Sequence, residues 1–231
     1  MFEYVRGKFI CFDGPDGCGK STQLSQLKDV LEAEGIGVTK AKDPGGTAIG
    51  DQIRHILLNS GHSQQNMDVR CETFLFMASR AQLAAEVIDP ALKDGGCVLC
   101  DRFVSSTLAY QAAGGYPAGE IIKLARYAIG NTWPDLTIIL DVTVDAGFSR
   151  AGRKRGLRQA TARGGEAMLF DDATVDSMER RTKKFHEKAR KLFLSLPKEY
   201  PGQVRVIDGD GEPALVHERV LEAMSDALGS D

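Results

Sequence analysis

The 231-residue sequence predicts an α/β fold: a central, mostly parallel five-stranded sheet with helices on both faces. Three observations lead there. Strand-like apolar runs alternate with helical patterns, so successive strands are joined by crossovers and lie parallel. Those runs are continuously apolar, without in-out alternation, as expected of strands covered on both sides. The length suits one core, and no internal repeat or low-complexity linker divides it, so residues 1–231 read as a single domain.

Taken in order, Lys8 to Asp13 (KFICFD) is an apolar run ending in glycines and reads as the first strand. Ser21 to Glu34 places Leu24, Leu27, Val30 and Leu31 at helical spacing, with Gly35 as the stop. Ile36 to Lys40 is the second strand, and Asp43 to Thr47 (DPGGT) a turn. Ile49 to Leu58 reads as helix, and Val69 to Leu92 as one long helix broken only at Pro90. Cys97 to Asp101 is a buried strand, followed by helices opening at Ser105 to Gln111 and at Ile121 to Ile129. Leu136 to Val142 is the most strand-like run, Val204 to Asp208 the last strand, and Leu215 to Leu228 the closing helix. Sheets of this kind bind ligands beyond the carboxyl ends of their strands, so the residues just after each strand matter most.

Composition narrows the partners. Twenty-nine basic against 32 acidic residues leave a net charge of -3, so no global field draws the protein to nucleic acid or membrane. An anionic ligand must be held by locally placed cations. No apolar run approaches the roughly 18–20 residues that cross a bilayer, and MFEYVRGKFICF carries no signal-peptide pattern, so a cytoplasmic location is expected. Five cysteines are too few and too scattered for a disulfide framework. Cys97 and Cys100 form a CxxC, but inside an apolar run, which favours buried strand thiols over a metal or redox site.

The strongest motif follows the first strand. Gly14, Pro15, Asp16, Gly17, Cys18, Gly19, Lys20 and Ser21 spell GPDGCGKS, a full GxxxxGK[ST], with Thr22 continuing into the helix. Its glycines let successive N–H groups turn inward onto phosphate oxygens at the positive end of that helix. This predicts a three-layer P-loop NTPase fold that binds ATP, with Lys20 at the β- and γ-phosphates and the Ser21 hydroxyl on Mg2+. Asp101, at the tip of a buried strand, is the second metal candidate; helix capping is its simpler alternative. Packing is the favoured role for Cys18.

The loop alone does not choose a reaction. A guanine-reading NKxD is absent from the sequence, which counts against a GTPase. A second polar set is present instead: DPGGT, FLFMASR (Phe74 to Arg80) and DRFVSSTLAYQ (Asp101 to Gln111). Two facing anions need more cations than one lysine, and Lys42, Arg80 and Arg102 can supply them.

The ordered series FDGPDGCGKSTQ, KDPGGT, FLFMASRAQ, DRFVSSTLAYQ and PDLTIILDV resembles thymidylate kinases, and ERRTKKFHEKARKLF to VID continues the likeness more loosely. The resemblance implies ATP- and Mg2+-dependent phosphorylation of dTMP to dTDP by a typically homodimeric enzyme. It further implies that Phe76 stacks on thymine, that Arg80 hydrogen-bonds an exocyclic oxygen, and that Arg102 holds the dTMP phosphate. Asp16 would face the sugar and the transferring group, with Ser106 and Thr107 as polar contacts, Tyr110 against the deoxyribose and Gln111 alongside. The chemistry is consistent: an aromatic face stacks any base, so discrimination falls to hydrogen-bonding groups. Judged without the likeness, Phe76 reads as core, and one of Ser105, Ser106 and Thr107 as an N-cap.

Phosphoryl transfer to a phosphate oxygen needs no general base, because the acceptor's second pKa is about 6. It needs cations and exclusion of water. A mobile lid over residues 150–176 would provide both, through Arg150, Arg153, Lys154, Arg155, Arg158 and Arg163 spaced by glycines; a solvated basic helix end is the plainer alternative. Thymidylate kinases carry the catalytic arginine in the P-loop or in the lid. Gly17 occupies the P-loop position, which leaves Arg153, Arg155 and Arg158, in that order. Three departures stand out: KDPGGT for the family's REPGGT, DSME with Ser177 for DRxE, and a long stretch between Arg158 and Val175. The alternatives are a kinase for another nucleoside monophosphate or a deoxynucleoside, and a P-loop ATPase or switch.

Overall fold

A computed structural model describes residues 2–59, 67–152 and 181–229. Strands β1 (Phe9–Asp13), β2 (Val38–Lys42), β3 (Cys97–Asp101), β4 (Leu136–Asp141) and β5 (Gln203–Asp208) form one all-parallel sheet in the order β2-β3-β1-β4-β5. The helices are α1 (Lys20–Ala33), α2 (Ala48–Asn59), α3 (Val69–Leu83), α4 (Asp89–Lys93), α5 (Val104–Ala113), α6 (Ala118–Ile129), α7 (residues 144–152), α8 (Lys183–Glu199) and α9 (Pro213–Leu228). No described helix is long and apolar enough to cross a membrane.

The continuous apolar strands conceal a period-two pattern. Phe9 and Cys11 of β1 face one core with Met77, Leu83, Ile121, Ala125, Ala189 and Phe193. Ile10 and Phe12 face the other with Leu24, Leu27, Leu31, Val216, Val220 and Met224. β3 divides the same way, Val98 and Cys100 against Cys97 and Leu99. In the central strands β1, β3 and β4 both faces are covered, so side chains on either face are mostly apolar and the alternation vanishes from hydropathy, whereas the edge strands β2 and β5 carry exposed Lys40, Lys42, Gln203 and Asp208. Cys97 and Cys100 are buried free thiols, and burial pushes the Cys97 thiol up to about 12.

The topology places the site. From β1 the chain runs out to the edge strand β2, then returns to β3 beside β1. The reversal opens a crevice at the carboxyl ends of β1 and β3, where Phe12 registers with Asp101.

Three sequence expectations need correction, and one helix was absent from them. Ile36 does not begin a strand. Its N–H bonds the Leu31 carbonyl at 3.0 Å while Gly35 N–H bonds Glu32 O at 3.0 Å, with Gly35 at φ +74°, so Ile36 closes α1 by a Schellman motif and packs beside Leu31. The helix expected over Val69 to Leu92 breaks before Pro90, at a π-helical turn over Ala84–Ile88 where Asp89 N–H bonds Ala84 O. Pro90 then falls in the first turn of α4, where its missing N–H costs nothing. None of Ser105, Ser106 and Thr107 caps α5, whose N-cap is Phe103 without a side-chain bond. Finally, α8 was not foreseen as an element. Its buried residues His186, Ala189, Phe193 and Leu196 fall on one helical face, and Thr182 caps it by accepting from Phe185 N–H.

Phe193 is 1% exposed and ties α8 to the sheet. Phe193→Ala is expected to lower unfolding free energy by about 3–5 kcal/mol in urea denaturation. A loss below about 1 kcal/mol would mean that α8 is not part of the cooperative core.

Candidate active site

The loop between β1 and α1 is shaped by glycine where side chains have no room. Gly14 has φ +131°, and a Cβ there would lie 2.4 Å from the Leu140 carbonyl oxygen. Gly17 has φ +75°, and its Cβ would lie 2.1 Å from the carbonyl oxygen of Gly147 in α7. The loop therefore packs on β4 and α7 by backbone contact. Cys18 is 1% exposed within the α1-side core, and burial pushes its thiol up, as expected of a packing residue.

Lys20 opens α1, and its ammonium donates to the carbonyls of Gly14 at 3.2 Å and Pro15 at 3.1 Å. Ser21 follows, and its hydroxyl donates to Asp101 Oδ2 at 3.3 Å. The two residues expected to hold metal thus meet across the β1–β3 crevice. A hydroxyl beside one carboxylate suits Mg2+, which keeps waters and takes phosphate oxygens instead of requiring an all-protein cage. Among the described residues no cluster of three or more His, Cys, Asp or Glu forms such a cage. Lys42, exposed at the end of β2, is the register partner of Asp101.

Arg102 follows Asp101 directly and is the one non-glycine residue at positive φ among those described, at +69°. Its Nη1 donates to Asp13 Oδ1 at 3.0 Å, Gly14 O at 3.1 Å and Ser106 Oγ at 3.1 Å, while Nη2 pairs with Asp16 Oδ1. The guanidinium also lies 5.3 Å from the centre of the Tyr110 ring, whose hydroxyl donates to Asp16 Oδ2 at 3.3 Å. Burial and the neighbouring Asp16 push the Tyr110 phenol well above its ordinary value, so it remains a donor. Tyr110 is 5% exposed, its ring lying among Phe185, His186 and Phe193 of α8.

The base-side residues lie on α3 and α5. Phe76 is buried yet belongs to neither hydrophobic core. Arg80, 1% exposed, donates through Nε to Asp43 Oδ2 at 2.5 Å and through Nη2 to Phe103 O at 3.1 Å and Thr107 Oγ1 at 2.9 Å. Its Nη1 contacts the Met77 sulfur at 3.3 Å. Gln111, 1% exposed, donates to Glu72 Oε2 at 3.0 Å.

The fold thus brings together Asp16, Lys20, Ser21, Asp101, Arg102, Ser106 and Tyr110 at the crevice, with Phe76, Arg80, Thr107 and Gln111 on the adjoining helices. Arg153, Arg155, Arg158 and Ser177 lie outside the described residues. Arg150, on α7, reaches Gly209 O at 3.0 Å and Asp210 at 2.7 Å. Sequence reasoning missed Asp13, Ser105, Asp43 as a partner of Arg80, and Glu72. Asp13 carried a usable signal: a carboxylate ending a buried strand, the same feature that singled out Asp101.

A family model described as "Thymidylate kinase" matches residues 12–220. The chain is 42% identical to a thymidylate kinase of Geobacter sulfurreducens, over 88% of this chain and 90% of that one. It is 39% identical to one from Afipia carboxidovorans (97% and 92% covered) and 35% identical to one from Bacillus velezensis (97% and 98%). With near-complete coverage on both sides and the family's motifs meeting at one crevice, this chain belongs to the thymidylate kinase family.

Proposed function

We propose that the protein transfers the γ-phosphoryl group of ATP to dTMP, yielding ADP and dTDP, with Mg2+ held at Ser21 and Asp101. The observation that carries the reading is the adjacency of two unlike constellations at one crevice. The phosphate loop with Lys20 and Ser21–Asp101 suits a triphosphate, and Arg102–Asp16–Tyr110, with Phe76 on the adjoining α3, suits a second, aromatic-bearing anion.

The residues divide the work. Loop N–H groups and Lys20 hold the donor phosphates. Bound Mg2+ would neutralise charge on the donor and the transferring group. Arg102, oriented by Asp13 and Ser106, presents a planar fork to the acceptor phosphate. An acceptor oxygen attacks the γ-phosphorus as the bridging β-oxygen leaves, and no protein base need remove a proton. Phe76 stacks the base, Arg80 reaches its exocyclic oxygen, and Ser106, Thr107, Tyr110 and Lys42 complete the dTMP side.

The P-loop has no place for the arginine that stabilises the transferring group, because positive φ and the Gly147 carbonyl exclude any side chain at position 17. We therefore assign that charge to Arg153, Arg155 or Arg158 in a lid over residues 150–176 of a single domain. A homodimer completes the proposal, with Phe74 on α3 and Tyr127 on α6, 53% and 90% exposed, as apolar surface for the second copy.

Turnover with ATP and Mg2+ against dTMP, dUMP, dCMP, dGMP and AMP tests the reaction. dTMP is expected to be fastest; a purine monophosphate ahead of it would defeat the reading. Arg102→Lys keeps the charge but loses the fork, and should lower kcat/KM for dTMP at least about tenfold. Arg153→Ala or Arg155→Ala should lower kcat at least about tenfold with little change in dTMP KM. Full activity in both, and in Arg158→Ala, would remove the lid arginine from the mechanism.

Burial opposes ionisation of Asp16, but Arg102, then Lys20 and His186, more than offset it and hold the carboxyl below its ordinary value. A depressed folded-state pKa adds stability above the unfolded value, about 3.9, and that stability is lost as pH falls through the folded value. Urea melts of wild type and Asp16→Asn should therefore converge as pH drops from about 5 towards 2. A constant gap would show that Asp16 does not titrate in that window.

A further inference from the structure

Glu72, Phe76 and Arg80 recur every four residues along α3, and Phe103, Thr107 and Gln111 do the same at and along α5. The stripes face each other antiparallel and are tied at both ends. Arg80 donates to Phe103 O and Thr107 Oγ1 at one end, and Gln111 Nε2 donates to Glu72 Oε2 at 3.0 Å at the other. Phe76 lies between the ties, one helical turn from each. Glu72 is itself held, since its Oε1 accepts from Arg181 Nη2 at 2.6 Å. Both members of the lower tie are buried, Glu72 at 5% and Gln111 at 1% exposed.

A carboxylate offers lone pairs alone, so the amide group of Gln111 must turn its nitrogen towards Glu72. Its oxygen is then committed to the opposite side as an acceptor. At the far end, Arg80 uses four of its five N–H groups on Asp43, Met77, Phe103 and Thr107, leaving one donor on Nη1. A spare donor at the Arg80 end and a spare acceptor at the Gln111 end, on either side of Phe76, match in kind the imide edge of thymine or uracil, where O4 accepts and N3–H donates. Cytosine reverses both groups, with an amino group at C4 and a lone pair at N3.

We propose that Glu72 is a positioning residue for pyrimidine specificity: by fixing the amide of Gln111 it presents an acceptor to N3–H and so rejects cytosine. The inference rests on the reading that Phe76 stacks the base of the acceptor nucleotide. Replacing Glu72 by glutamine keeps the shape but supplies both donor and acceptor, so Gln111 can then turn either way.

The test compares kcat/KM for dTMP, dUMP and dCMP in wild type and Glu72→Gln. Expected is a fall of at least about tenfold in the dTMP/dCMP ratio, with dUMP tracking dTMP and kcat on dTMP within about threefold of wild type. An unchanged ratio, or equal losses on all three substrates, overturns the proposal, because a merely structural role would not alter discrimination. Should Glu72→Gln show no cooperative melt, calorimetric titration of the wild-type protein decides. Binding of dTMP at least about a hundredfold tighter than dCMP supports a fixed Gln111, and affinities within about threefold overturn it. A wild-type protein that does not phosphorylate dTMP overturns the parent reading instead.

Discussion

The carboxylate of Asp13 is the contact on which the site depends. It is fully buried at the end of β1 and accepts from Gly14 N–H at 2.9 Å, Ser105 Oγ at 2.6 Å, Ser106 Oγ at 2.7 Å and Arg102 Nη1 at 3.0 Å. An isolated charge at such depth would be prohibitive, and four donors including a guanidinium make it tenable. The same bonds join the start of the phosphate loop, the first turn of α5 and the arginine beside the metal candidates. Two irregularities accompany them. The N-cap position of α5 falls on Phe103, which has no polar side chain, while Ser105 and Ser106 inside the first turn donate to Asp13. Arg102 is held in the left-handed region at a cost of about 1–3 kcal/mol, offset by contacts to Asp13, Asp16, Gly14 and Ser106.

The other cations follow the same rule. Arg80 and Asp43, each with a side chain 1% exposed, pair at 2.5 Å and pin the loop after β2 to α3 and α5. Burial pushes the Asp43 carboxyl up while Arg80 pulls it down, and removing either partner of such a pair costs about 3–5 kcal/mol. Arg150 pairs with Asp210, and Arg190 grips Asp141 through two bonds of 2.7 Å. The cleft is therefore not a bare positive patch hidden by a net charge of -3. Its arginines are aimed by carboxylates that hold their geometry before an anion arrives, which suits catalysis by preorganised charge.

This pairing also marks the limit of what the sequence discloses. The central strands β1, β3 and β4 were legible because two-sided burial demands unbroken apolar runs, while the edge strand β2 was placed two residues early; the phosphate loop was legible because its spacing and its strand–helix setting agree. Candidate site residues at a strand end or within one motif, Asp16, Lys20, Asp101 and Arg102, could be named from sequence because each motif is local, and the fold brings them to one crevice. Glu72–Gln111 and Asp43–Arg80 were not, since their partners lie 39 and 37 residues apart and meet after α3 and α5 have packed. The helix α8 was overlooked because its lysines and arginines dominate the run, although Ala189, Phe193 and Leu196 still trace an apolar face. Ile36 misled because a hydrophobe closing a Schellman motif looks like the first residue of a strand.

The contact between Gly17 and Gly147 joins the fold to the chemistry. A Cβ on either residue would collide with the other segment's backbone, at 2.1 Å from Gly147 O or 2.3 Å from Asp16 O. Phosphate loop and α7 can therefore approach at this distance only if both positions are glycine. That approach removes the loop's option of carrying a long cationic side chain. In exchange it runs α7 past the loop, where Arg150 already reaches the segment between β5 and α9. On the proposal that a lid arginine supplies the charge for the transferring phosphoryl group, closure after both nucleotides have bound would deliver it. A permanently placed guanidinium would interact with donor and product alike, whereas one delivered on closure acts chiefly on the charge that develops during transfer.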